Sequence, residues 1–200
     1  DLSLNASLDA LGESLGRMLS IRHASVASGI SVAQAIVGVA QKAGAKIVHA
    51  TRAFDPAGMA EQNAVGVALA EAGIFLELTG SYYAVDPGAV AKPDGSPYKV
   101  YTPFFKRWFE LGWSKPQALA EVGHTWFIAE PCQGRPAPSK DSPFEIKAGE
   151  AYALRTWERF KSRALFNYDE MRNRADLSGT SHLSHALAFG EIHPRTLLAE

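Results

Sequence analysis

Gly179–Thr180–Ser181–His182–Leu183–Ser184 places three hydroxyl side chains directly behind a glycine, and an apolar pattern of helical spacing begins at the third of them. This combination suits a diphosphate. Small hydroxyls and free backbone N–H groups would meet at a helix start, where the helix dipole favours anions. Tyr168 lies twelve residues before Thr180 and offers an aromatic face with a polar tip. Arg172 follows Tyr168 by one helical turn, so a planar, permanent cation can share its surface. The plainer use of Thr180 or Ser181 is to cap the helix that follows. His182, His185 and His193 hint at a metal cluster, but neither a cysteine nor a second histidine pair accompanies them, and metal binding is not expected. His23, His49 and His124 lack supporting partners. The chain contains no nucleophile elbow, Walker loop or complete dinucleotide fingerprint, which argues against a standard NAD-binding domain.

The elements that must position these residues alternate along the first half. Leu4, Leu8, Leu11 and Leu15 keep helical spacing up to Gly16. Met18–Arg22 reads as a short strand. Val32, Ala35, Ile36, Val39 and Ala40 form a second helical stripe that stops near Gly44. Lys46–Ala50 reads as a buried strand, Ala60–Ala72 as a helix with Val65 and Leu69 on one face, and Ile74–Leu78 as another strand. Tyr82–Val85 reads as a further short one. Such alternation argues for an α/β fold with a parallel sheet covered by helices. After Asp86 the rhythm changes. Lys92–Pro97 carries turn chemistry, Thr102 with Pro103 is set up to start a helix, and Pro131–Pro143 reads as an interdomain linker. Ala151, Leu154, Trp157 and Phe160 then resume helical spacing. Trp108, Trp113 and Trp126 read as core or interface aromatics.

Two hundred residues with a net charge of −1 fit one large domain, or one domain and part of another. Charge is unevenly spread. From Lys147 to Arg174 there are seven basic and four acidic side chains, either a solvated helix face or a phosphate-tracking surface. Cys132 is the single cysteine, which excludes an intrachain disulfide and fits a reducing, cytoplasmic setting. No apolar run reaches the length of a membrane span. The chain opens at Asp1 inside a helical pattern and reads as an excerpt of a longer protein.

Tyr168-x3-Arg172-x6-Gly179–Thr180–Ser181–His182–Leu183–Ser184, continued by Leu187-x-Phe189–Gly190–Glu191–Ile192-x-Pro194–Arg195, resembles the start of the flavin domain of the photolyase/cryptochrome family. Tyr98–Lys99–Val100–Tyr101–Thr102–Pro103–Phe104–Phe105–Lys106–Arg107–Trp108 resembles the segment after that family's antenna domain. The two motifs stand in the family's order, and the resemblance is nearest to class I photolyases that repair cyclobutane pyrimidine dimers. It implies a parallel-sheet, Rossmann-like antenna domain over residues 1–115, incomplete at its N-terminus. A linker over 116–147 and the start of an all-α FAD-binding domain over 148–200 would follow. It also implies that Tyr168, Thr180, Ser181, His182, Leu183 and Ser184 contact FAD and that Arg172 contacts the DNA backbone. The catalytic surroundings of the flavin ring would lie beyond Glu200. Damaged DNA is the implied partner of a monomer. His182 stands where the family often has Arg, and His185–Ala186 where it often has Pro–Tyr. The stretch Phe54–Glu61 lacks the polar signature with which some members hold a folate. The antenna chromophore is therefore open among folate, deazaflavin, another flavin or none. A photoreceptor that signals instead of repairing, and a nucleotide-binding α/β module, are the alternative functions.

Overall fold

The structure is a computed structural model describing residues 2–22, 24, 29–117, 123, 125–129 and 147–199. The expected linker over Pro131–Pro143, Cys132, His23 and His124 lie outside the described residues. Contacts divide the chain into two compact units, Ser20–Pro136 and the combination of Asp1–Leu19 with Ala137–Glu200.

The Ser20–Pro136 unit is built on a parallel βαβ element. Helix α2 (Val32–Lys42) starts in a capping box: Ser31 Oγ accepts from the Gln34 amide at 3.1 Å, and Gln34 Oε1 accepts from the Ser31 amide at 2.9 Å. Strand β1 (Ile47–Ala50) follows, then helix α3 (Pro56–Glu71) and strand β2 (Phe75–Leu78). Helix α3 begins four residues before its apolar pattern. Asp55 caps it by accepting from the Gly58 amide at 2.8 Å, with Pro56 as the first helical residue. The strands pair in parallel with Ile47 opposite Phe75 and Ala50 opposite Leu78. Ala40, Val65, Leu69 and Ile74 form the core, with Ile36, Val48 and Leu76 packed against it. The α/β architecture with a parallel sheet is therefore present.

Three expected local features differ. Met18–Arg22 forms no strand, because no neighbouring described strand gives it a ladder. Tyr82–Val85 is a run of bends, with Ser81 Oγ accepting from the Tyr83 amide at 3.1 Å in place of a ladder. Helix α4 (Tyr101–Leu111) starts one residue before Thr102 and has no side-chain cap. Its start is set by stacking instead. Tyr101, Phe105, Trp108 and Trp113 form a row of rings with centroids 5.8, 6.1 and 4.9 Å apart.

The other unit is helical. It contains α1 (Leu2–Ser14), α5 (Glu150–Arg163), a 3-10 turn over Leu165–Asn167, α6 (Tyr168–Met171), α7 (Ser184–Ala188) and α8 (Pro194–Leu198). Although α1 precedes the sheet in sequence, it groups with these C-terminal helices. Ala153, Leu183, Ala186 and Ile192 form their core, with Leu154, Trp157 and Leu197 against it. Ser7 on α1 donates to Glu191 Oε1 at 2.6 Å, so a buried carboxylate fastens α1 to the α7–α8 corner. No helix among the described residues is long and apolar enough to cross a membrane.

Candidate functional site

Helix α5 ends at Ala164, and the 3-10 turn redirects the chain into α6, which Tyr168 opens. The Tyr168 ring meets the buried Phe160 edge to face, with centroids 6.0 Å apart and an interplanar angle of 87°. That contact fixes the ring while leaving the residue 39% exposed. The Arg172 guanidinium lies 5.9 Å from the Tyr168 ring centroid, in cation–π reach, and the Arg172 amide closes the helical turn onto the Tyr168 carbonyl at 2.9 Å. The sequence spacing thus does bring Tyr168 and Arg172 to one surface.

Arg174 then clamps Asp176 with two hydrogen bonds of 2.8 and 2.6 Å. Arg174 keeps the Asp176 carboxyl below the usual aspartate range, and the pairing raises the Arg174 guanidinium in turn. Beyond this turn the chain returns to α6. Gly179 backs onto Met171 so closely that an added Cβ would sit 2.5 Å from the Met171 Cβ and 2.8 Å from its carbonyl oxygen. Only glycine permits this approach. It makes the segment that begins at Thr180 start against the end of α6, the helix that carries Tyr168.

Within that segment the residues divide by burial. Leu183 is 2% exposed and belongs to the core with Ala153, Ala186 and Ile192. Its side chain is an anchor, which leaves its backbone as the part available to a ligand. Thr180 and Ser184 are exposed, and Ser181 is partly buried. His182 adopts a left-handed backbone at φ 54, with its Nε2 3.4 Å from Ser178 Oγ. Helix α7 starts at Ser184 with Leu183 as its N-cap and no side-chain cap bond. Thr180 and Ser181 therefore do not cap it. The burial of Leu183 determines where α7 starts, and a helix of five residues gives little of the expected macrodipole. The hydroxyls and first-turn amides must carry any anion binding.

The remaining histidines have other tasks. His185 lies against Phe189, with ring centroids 4.7 Å apart, and its Nδ1 is 3.8 Å from Glu191 Oε2. His193 caps α8 by accepting from the Arg195 amide at 3.1 Å. The fixing role of Phe160 and the Ser7–Glu191 bond were not read from the sequence. Phe160 sits at helical spacing with Trp157 and was visible only as a core position. Arg155, Arg159 and Arg163 lie at i, i+4 spacing on α5 and are all exposed. The spacing alone would have revealed this row of cations.

The family profile described as DNA photolyase matches residues 3–121. A deoxyribodipyrimidine photo-lyase of Synechococcus sp. is 30% identical over 166 residues, which is 77% of this chain and 34% of the relative. A deoxyribodipyrimidine photo-lyase of Agrobacterium fabrum is 31% identical, over 96% of this chain and 41% of the relative. The chain thus spans about a third to two fifths of the length of these two relatives. Among solved structures, a bacterial class III photolyase from Agrobacterium tumefaciens superposes with a TM-score of 0.77 at 26% identity, covering 99% of this chain and 42% of the other. The cryptochrome of Synechocystis sp. superposes with a TM-score of 0.67 at 19% identity, over 98% and 43% of the two chains, and shares the fold. The sequence motifs resemble class I members, whereas this solved photolyase is a class III enzyme.

Proposed function

Because this chain belongs to the DNA photolyase family, we propose that it serves light-driven repair of cyclobutane pyrimidine dimers in DNA, with part of the FAD site on the α6–α7 surface. The observation that carries this reading is the approach of Gly179 to Met171, which joins the aromatic and hydroxyl-bearing segments. FAD would supply, when reduced and excited by blue light, the electron that opens the dimer; the protein supplies position, charge and shelter from water. Tyr168 gives the flavin nucleotide an aromatic wall. Thr180, Ser181 and Ser184 offer hydroxyls to its phosphate and ribityl oxygens. His182 and Leu183 contribute backbone N–H groups, and the Leu183 side chain holds the segment in the core. Arg172 contacts a DNA phosphate, and the arginine row of α5 adds cations to the same charge-driven attraction. A damaged pair costs less to unstack than an intact one, which favours delivery of the dimer. Residues 1–115 are assigned to the antenna-type domain, with its pigment open among folate, deazaflavin, another flavin or none, 116–147 to the linker and 148–200 to the flavin domain. The protein is assigned to the cytoplasm, as a monomer.

Titration of FAD against a protein that carries this chain together with a complete flavin domain, followed by flavin fluorescence, tests the site; residues 1–200 alone are expected to bind FAD weakly or not at all. Tyr168→Ala and Ser181→Ala should each weaken binding about tenfold, as loss of one good contact implies. Unchanged affinity in both variants sinks the reading. Arg172→Ala should leave flavin affinity alone while lowering the salt slope of DNA binding by about one. Irradiation of a flavin-loaded protein that carries this chain together with a complete flavin domain, with a dimer-bearing oligonucleotide, then separates functions: dimer loss supports repair, and flavin reduction without dimer loss marks a photoreceptor.

A further inference from the structure

A carboxylate is buried in the helical unit with only one of its oxygens hydrogen-bonded. Glu191 Oε1 accepts from Ser7 Oγ at 2.6 Å. Glu191 Oε2 is buried without a hydrogen-bond partner, and so is His185 Nε2. The other nitrogen of that ring, Nδ1, stands 3.8 Å from Oε2, too far for a hydrogen bond and near enough for electrostatic attraction. A neutral imidazole carries one ring proton. With no acceptor beside Nε2, that proton belongs on Nδ1, where it meets the carboxylate. Phe189 braces the ring, with centroids 4.7 Å apart. The backbone brings the two residues together, because the Glu191 amide donates to the carbonyl of Ala186, next to His185, at 2.8 Å. No third histidine, cysteine or acid joins them as a metal set among the described residues.

Stability does not explain this arrangement. A buried carboxylate with an unanswered oxygen is costly, and an apolar side chain of similar volume would pack there at little or no loss. The first turn of α7 does explain it. Helices α3 and α8 begin with a side-chain cap and a proline, and α2 begins with a capping box. Helix α7 has five residues, no side-chain cap and no proline, so its own sequence holds its first turn weakly. Leu183 and Ala186 anchor its core side. Ser184 and His185 open it, and His185 is the residue that Glu191 approaches. We propose that Glu191 is a positioning residue for the flavin segment: its carboxylate, aimed by Ser7, holds the His185 ring and so keeps Ser184 and the first-turn amides of α7 in place for the flavin oxygens. The inference rests on the assignment of Thr180–Ser184 to FAD. It gives α1 a task at a distance from the ligand, because Ser7 sets which carboxylate oxygen is left for His185.

FAD titration of a protein that carries this chain together with a complete flavin domain tests it, with urea unfolding of the same variants. His185→Leu keeps a side chain against Phe189 and leaves the Ser7–Glu191 bond intact. It should weaken FAD binding about tenfold, as loss of one good contact does, while hydrogen exchange across α1 stays unchanged. Ser7→Ala with Glu191→Met should keep the urea midpoint near that of the unsubstituted protein and still bind FAD about tenfold more weakly. Glu191→Gln retains an acceptor for Ser7 and a polar group for His185, and should return FAD affinity to within about threefold of the unsubstituted protein. Undiminished affinity in either His185→Leu or the double variant overturns the inference, and so does an affinity loss that follows the urea midpoint from variant to variant. Absence of FAD binding by the unsubstituted protein overturns the flavin reading and the inference with it. Loss of affinity in Tyr168→Ala but not in His185→Leu leaves the reading standing and overturns the inference alone.

Discussion

At Gly179 a methyl group would collide with both the Cβ and the carbonyl oxygen of Met171, and the second of these belongs to the backbone. Gly179→Ala should therefore lower stability by about 1–3 kcal/mol, the usual range for overpacking, measured as a urea midpoint shift. Met171→Gly in the same chain should not recover the loss, because the carbonyl remains. Thr180→Ala and Ser181→Ala should behave oppositely. Neither caps α7, so stability should stay within about 0.5 kcal/mol while flavin affinity falls. Asp176 supplies a pH test. Arg174 depresses its folded-state titration, so the favourable contribution of the charged carboxylate holds at neutral pH and is lost as pH falls through the lowered value. Carboxyl titration by NMR should show Asp176 below the ordinary aspartate range, and Arg174→Ala should return it there.

The apolar stripes of α2 and α3 were legible, whereas the start of α3, expected at Ala60, was placed four residues late because the Asp55 cap and Pro56 lie outside the stripe. Ser31 and Asp55 cap α2 and α3 through side-chain bonds a few residues long, and Ser31→Ala or Asp55→Ala should each cost about 1 kcal/mol in thermal or urea unfolding. The same chemistry misled at α4, where a ring pair one turn apart on the helix itself accompanies the earlier start, and at α7, where packing into the core chose it. Tyr101 joins the ring row with Phe105 and draws the helix back past Thr102. Leu183 enters the core and puts the start of α7 beyond Thr180 and Ser181. Strands show a further limit. Met18–Arg22 has a strand's composition, but a ladder needs a neighbour, and composition carries no record of whether one is present. The pairing of Tyr168 with Arg172 was readable because it spans one turn. Its joining to Thr180–Ser184 depends on Gly179 meeting Met171, a contact across a turn that residue types only hint at.

At the scale of the whole molecule, the Ser7–Glu191 bond lay beyond sequence reading, because it joins residues 184 positions apart. The Glu191 side chain is 5% exposed, so Ser7→Ala leaves a buried carboxylate oxygen without its donor. That should cost about 1–3 kcal/mol in the helical unit alone. Replacing both residues, as Ser7→Ala with Glu191→Met, should recover most of it. Unfolding followed separately by the tryptophans of each unit would show whether the loss is confined. The same bond also bears on how the chain comes off the ribosome. The Ser20–Pro136 unit can close as soon as its own residues emerge. The first helix must wait until Glu191 has been synthesised, on the order of ten to forty seconds at translation speeds of ~5–20 residues per second. Throughout that interval Ser7 has no Glu191 carboxylate to receive its hydrogen bond, and α1 stays unfastened from the α7–α8 corner.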